Sequence, residues 1–440
     1  MGKQNQLIAL VTWLQNEKAG SDHSSTLKPY RHAARWIPIS VGPFVDINKA
    51  IHWGAAELND DDPPAEMGPH DAVNYRMILS IFPGLDKALA AFKGDKNLIQ
   101  PFARQITTAA NSARAEDTSS CRRATPEYVL SSSSGDGDSL QNKSDRGWNN
   151  YHTARLLCPL KRLVEFDENP DLFMEHVTNK TIKIKASQWP SFLYPEDTVY
   201  DGENIDKGLF LSDLMLMFLR NILTGPSSAH QGMRMGTKQS KAEIHGMDRV
   251  FGRCVAYTAV QVYFALSSIE QWSSSAQDGH FKLDDFFSRC VGLFERDPKD
   301  PWVLDTLAHL TDALPSLKRS YQQKHKRSIS SIFSDSSDED ETEAIHSQRE
   351  ARRLEHQKHS LASVHRHCRG RSSDEEDEGD EEELKQKFSD GEDESDEDAL
   401  KQKSSDREDR SDEEDESDED ALKRESSDGE DESDEEVLKQ

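Results

Sequence analysis

The sequence predicts a mainly α protein: an irregular helical domain followed by a disordered basic segment and a disordered acidic repeat tail. Three observations carry this reading. Apolar residues between Asp71 and Leu314 recur at helical spacing, with no alternation of strand and helix. All seven tryptophans lie before Lys318. Four near-copies of one acidic sequence close the chain, starting at Ser373, Ser389, Ser411 and Ser427. The expected divisions are a weakly structured N-terminus (1–27), the helical domain (28–317, with a flexible insertion at 131–142), a basic disordered linker (318–371) and the acidic Ser/Asp/Glu tail (372–440).

Within the domain, Arg31 to Trp53 mixes aromatic and β-branched residues with Pro38 and Pro43, which suits irregular packing, and Asn59–Pro69 reads as a loop. Asp71 is placed to cap a helix ending at Ile81, ahead of the Pro83-Gly84 turn. Helices are expected over Leu85–Lys93 and over Ile99–Arg114, the latter with Pro101 in its first turn. Two prolines in Trp189–Pro195 exclude a regular helix there. Leu209–Leu223 has only Ser212, Asp213, Arg220 and Asn221 as a narrow polar stripe, so the rest of that helix is expected to be buried. Val255, Ala259, Val262 and Leu266 share one face of a helix over Val250–Leu266, widened by Phe251, Ala256, Val260 and Phe264. Phe281–Phe294 and Trp302–Leu314 read as two further amphipathic helices.

Charge separates these regions. The chain has a net charge of -28, of which residues 372–440 hold -26, residues 318–371 hold +4 and residues 1–317 hold -6. The tail's only aromatic residue is Phe388, and so little apolar surface cannot offset ~1–2 kcal/mol of backbone entropy per residue. Five widely spread cysteines form no paired spacing, which fits reduced thiols inside a cell. No stretch reaches the ~20 apolar residues of a membrane span. A soluble, intracellular protein with no membrane partner is expected.

Candidate chemistry in the domain is sparse, and no catalytic, metal-ligating or cofactor-binding set can be assembled. Gly232–Lys238 fails as a phosphate loop, because three residues rather than four separate its glycines and Thr237 precedes Lys238. His245 stands at a helix entrance, with Asp248 at a possible cap, and Cys158 and Cys254 read as buried thiols. His365, His367 and Cys368 make a poor metal site without a second cluster.

The basic segment carries a candidate nuclear-import cluster at Lys318, Arg319, Lys324, Lys326 and Arg327. Tyr321 and Phe333 are its only aromatics, so base stacking and direct nucleic-acid binding have little support. In the tail, Ser373, Ser389, Ser395, Ser411, Ser417, Ser427 and Ser433 each precede an acid at the third position, the context that acidophilic kinases prefer. Full modification would add about -10 to -14 charge. A tail of this kind is expected to engage basic proteins, against the plainer alternative of an acidic tract that only keeps the protein dispersed.

Several blocks keep an order that resembles a known family. They are Tyr30–Trp36 with Pro43-Phe44, Ile81–Leu85, Asp117 to Tyr128, Lys143–Trp148 leading to Ala154–Pro159, Trp189–Tyr194, Gly208–Phe210 with Gly225–Ser228, Ile244–Met247, and Ala256-Tyr257 through Gln261–Ser268. Together they resemble a domain family of unknown function abundant in mushroom-forming basidiomycete fungi, over about Tyr30 to Arg296. Arg234–Lys241 departs from that family's usual Thr-Arg stretch. The resemblance implies a fungal intracellular protein and transfers no activity. The functional expectation is a non-enzymatic, nuclear interaction protein. The alternatives are an enzyme with a site between Trp189–Pro195 and His245, or a product derived from a mobile element.

Overall fold

A computed structural model describes residues 8–12, 14, 26–63, 65–130, 140–230, 239–273, 277–314, 341–342 and 344–353, all within the unit Met1–Arg371. The import cluster, the seven tail serines, Gly232–Lys238, the His365–Cys368 group and most of the 131–142 insertion lie outside these residues. Leu140, at the insertion's end, is fully buried.

The domain is mainly α, as expected. Its helices are α1 (Lys28–Ala34), α2 (Ile37–Ser40), α3 (Ile47–Leu58), α4 (Pro69–Ile81), α5 (Leu85–Phe92), α6 (Lys96–Leu130), α7 (Tyr151–Leu157), α8 (Leu163–Glu168), α9 (Pro170–Thr178), α10 (Asp213–Thr224), α11 (Lys241–Ile244), α12 (Gly252–Leu266), α13 (Leu283–Glu295) and α14 (Pro301–Asp312). Among the described residues the only strands form one short antiparallel hairpin, Gln277–Asp278 with Phe281–Lys282, ahead of α13.

Two cores share one spine. The first gathers α1 to α5 around the N-terminal half of α6, through Leu98, Ile99, Phe102, Ile106 and Ala110. The second gathers α7 to α14 around the C-terminal half, through Cys121 and Tyr128. At about 1.5 Å per residue, the 35 residues of α6 run ~50 Å and reach both. Sequence reading ended this helix at Arg114. It continues because Ala113, Asp117, Cys121 and Thr125 fall four residues apart on one buried stripe.

Pro126 inside α6 leaves the carbonyl of Arg122 without its usual amide donor. Arg146 supplies the donor: its Nη2 reaches Arg122 O at 3.0 Å. The same guanidinium gives Nε to Leu140 O at 2.8 Å and Nη1 to Ala265 O at 2.9 Å, and the residue is 1% exposed. Lys143 completes the arrangement, donating to Phe264 O and, at 2.7 Å, to Ser267 O. The carbonyls of Phe264, Ala265 and Ser267 belong to the last turn and C-cap of α12, a helix buried almost all round, so the two cations take the place of water there. Burial, with Arg146 and Arg122 adding to it, pulls the Lys143 ammonium down to about 7.

Several local expectations are corrected. Asp71 is not the cap of α4 but its third residue, where Oδ2 accepts from Gly68 N at 3.0 Å. Leu209–Leu211 precede α10, which starts after Ser212, whose Oγ accepts from Met215 N at 3.0 Å. Of the α10 stripe only Asp213 faces solvent. Arg220 donates to Ala313 O and Ala229 O, and Asn221 to the Tyr128 hydroxyl, all inside the fold. Asp248 caps nothing, because α12 begins at Gly252 after Phe251. Gly252 is required there: a Cβ would sit 2.4 Å from Phe294 Cβ of α13.

The largest difference concerns the basic linker, since residues 341–342 and 344–353 are helical and packed on the second core. Ile345 is fully buried, and Arg349 and Arg352 both reach the carboxylate of Asp206. Composition marks such a stretch as solvated, whereas a buried acid elsewhere in the chain lets these arginines pack.

Arg146→Ala is expected to cost about 3–5 kcal/mol, since it strands three main-chain carbonyls at a buried site. Arg146→Lys should recover only part of that, one ammonium being unable to span three acceptors. Urea denaturation followed by circular dichroism measures both; equal stability of Arg146→Ala and the parent would refute the assignment.

Candidate functional site

A buried polar cluster lies where α1, α6, α11 and α12 meet. Asp117 projects from the middle of α6 and is nearly buried. One carboxylate oxygen takes the ammonium of Lys241, at the start of α11, and the other accepts from the Tyr257 hydroxyl of α12 at 3.0 Å. Gln261, one turn on, donates to the same Tyr257 oxygen at 3.0 Å and accepts from Thr118 Oγ1 at 3.1 Å. Lys241 is positioned by a reciprocal cap on α11, in which Ser240 Oγ accepts from Glu243 N and Glu243 Oε2 accepts from Ser240 N.

His245 ends α11 and closes one side of this cluster. Its ring stacks on Trp36 with centroids 4.7 Å apart and 17° between planes, and faces His32 at 4.8 Å. Arg35, next to Trp36, pairs with Glu116 on α6. Burial, then electrostatic repulsion from His32, Lys241 and Arg35, lowers the His245 imidazole from its ordinary 6.5 to about 4.

A second chain of polar groups runs alongside. Ser120 Oγ donates to Asn221 Oδ1 at 2.7 Å, Asn221 Nδ2 to the Tyr128 hydroxyl at 3.0 Å, and His230 Nε2 lies 2.8 Å from Glu127 Oε1. Burial pushes the Tyr128 phenol up to about 12.

These environments disfavour ionised nucleophiles. Burial pushes the thiols of Cys121, Cys158, Cys254 and Cys290 up, opposite to the depressed thiol pKa that an attacking cysteine needs. The same cause raises Asp117 in spite of Lys241, and His245 at about 4 is a weak base. Among the described residues, no group of three or more His, Cys, Asp and Glu is arranged to hold a metal ion. No helix among them is long and apolar enough to cross a membrane.

The structure does not bring together the two parts of the alternative site. Trp189, Phe192, Leu193 and Tyr194 are core residues, tied to the α7 end by Leu160 N to Trp189 O at 3.0 Å and Ser191 N to Cys158 O at 2.8 Å. His245 faces Trp36 and His32 instead, and no hydrogen bond or ring contact joins it to the Trp189–Pro195 segment. Sequence reading singled out His245 but not Asp117, Lys241, Tyr257 or Gln261. The available signal was a carboxylate four residues from both Ala113 and Cys121, on what proves to be an apolar stripe.

Unfolded chains protonate the His245 imidazole below about 6.5 and the folded protein only below about 4. The unfolded state therefore binds the extra proton over that window, and acidification across it costs stability. His245→Phe, which keeps a ring against Trp36, is expected to flatten the fall in urea midpoint between pH 6.5 and pH 4. An unchanged slope would show that His245 does not contribute to it.

No curated protein and no solved structure matches the chain. Residues 108–314 match the model of a family of unknown function (DUF6698). The match starts later than the resemblance in the short blocks, leaving Tyr30–Trp36 and Ile81–Leu85 outside it, and runs on to the end of α14. The part of the chain similar to that family of unknown function is thus the C-terminal portion of α6 with most of the second core, including Asp117, Lys241, His245 and Tyr257.

Proposed function

We propose that the protein is a non-enzymatic interaction protein of the nucleus, in a basidiomycete fungus, whose acidic tail engages basic proteins. The observation that carries this reading is charge segregation: residues 372–440 hold -26 of the net -28, beside a domain close to neutral. Such a field attracts polycations over about a Debye length, ~10 Å at 0.1 M salt, and weakens as salt rises. An acidophilic kinase acting on Ser373, Ser389, Ser395, Ser411, Ser417, Ser427 and Ser433 would deepen it. The domain's polar clusters support the non-enzymatic part, since their groups bond to one another and its buried thiols are deactivated.

The test compares the full chain with residues 1–371, a cut that keeps the packed 344–353 helix. The full chain is expected to recover basic proteins that elute between about 0.15 and 0.5 M salt, and the shortened chain to lose them. Identical partners with identical salt sensitivity would defeat the proposal. Replacing Lys318, Arg319, Lys324, Lys326 and Arg327 by Ala should move a fluorescent fusion out of the nucleus; unchanged localisation would remove these residues from that role.

A further inference from the structure

The carboxylate of Asp206 is buried, at 1% exposure, in the part of the chain that matches the family model. Its main-chain oxygen serves the body, accepting from Trp302 Nε1 at 2.8 Å. Among the described residues, its side-chain oxygens are served only by the 344–353 helix. Arg349 Nε donates to Oδ2 at 3.1 Å, and Arg352 Nη2 reaches Oδ1 at 2.9 Å and Oδ2 at 2.8 Å. A buried carboxylate with no donor from its own core is strongly disfavoured unless a cation arrives. The core is therefore built to receive one.

The rest of the face has the same character. Arg349 lies over the Trp302 ring at 3.7 Å and gives Nη1 to Leu293 O at 3.0 Å. Gln348 bonds the main chain at Ile205 N and Gly202 O, Glu341 accepts from Trp189 N at 3.1 Å, and Arg353 pairs with Asp297. Ile345, one turn before Arg349, is the fully buried apolar anchor. Arginine in a desolvated pocket beside tryptophan, one aliphatic knob and main-chain hydrogen bonds make up the anatomy of a docked helical peptide rather than of a continuous core. The helix also lies beyond the family match, which ends at 314.

We propose that the Asp206–Trp302 face is a recognition site for an arginine-bearing helix, with residues 341–353 as its resident, releasable ligand. The recognised pattern is an aliphatic residue followed four positions later by Arg, with a second Arg three positions beyond, as in Ile345, Arg349 and Arg352. A segment of this length does not hold a helix by itself in water, so release unfolds it and exposes Asp206. This inference is independent of what the acidic tail binds.

The test uses the full chain carrying a protease site between Leu314 and Glu341. After cutting under native conditions, a fluorescein-labelled peptide of residues 341–353 is added in excess and followed by anisotropy. The peptide should displace the resident fragment, and should bind the uncut protein at least tenfold more weakly because the tethered helix competes at high effective concentration. A peptide carrying Arg349→Ala and Arg352→Ala should not bind, and Asp206→Asn in the protein should weaken binding at least tenfold. The proposal is overturned if the cut protein holds its fragment against excess peptide until the whole molecule unfolds. It is equally overturned if the arginine-free peptide competes as well as the parent. The peptide arm uses the unmutated core, so it decides the matter even where Asp206→Asn fails to fold.

Discussion

Burying α12 on all sides is the constraint that organises the second core. A helix that meets protein on every face must still satisfy its last carbonyls. Lys143 and Arg146 do this from one short block between α6 and α7. Because the same guanidinium also takes the carbonyl freed by Pro126, the last turns of α6 and the end of α12 are fixed to each other. The approach of α13 to α12 depends on a glycine for a comparable reason, since Gly252 leaves room only for the Phe294 side chain. Positive charge is thus used inside this domain as a structural cap, and the ordered Lys143–Trp148 block can be read as a fastening rather than as a site.

The parts of the fold legible in the sequence are those where burial is apolar. α5, α12, α13 and α14 were readable because Leu, Val and Phe recur at helical spacing and little polar surface interrupts them. The C-terminal half of α6 was not, since its buried stripe is made of Ala113, Asp117, Cys121 and Thr125, small or polar residues without a hydrophobic signal. The roles of Arg220 and Asn221 were not legible either: composition shows a narrow polar stripe but not that these two bond to Ala313, Ala229 and Tyr128 inside the fold. The candidate site was legible only at His245. Its partners come from α1, α6 and α12, and periodicity in one segment carries no information about a pair such as Asp117 and Lys241, 124 residues apart.

The 344–353 helix shows the same limit from the opposite side. Arginine-rich composition with few apolar residues reads as a solvated linker, and only Asp206, far away in sequence, makes burial of Arg349 tolerable. An interaction of this type is conditional, because its gain is large only while both partners are present. That separates it from the ring-on-ring packing of Tyr263, Phe281 and Phe286, whose contacts are made between aromatic faces and edges.

Charge accounting connects the domain to the tail. Residues 318–371 carry +4, against -26 beyond them. Three of those cations, Arg349, Arg352 and Arg353, are already committed to Asp206 and Asp297. The domain adds no surplus, since its own balance is -6 and its buried cations Lys143, Arg146 and Arg220 face inward. The chain therefore lacks an internal counter-charge for its tail, and neutralisation falls to small ions or to an external polycation. Replacing many small ions by one basic protein would release them to bulk, an entropic gain that grows as salt is diluted, so under the proposed reading affinity for such a partner would follow ionic strength more than shape.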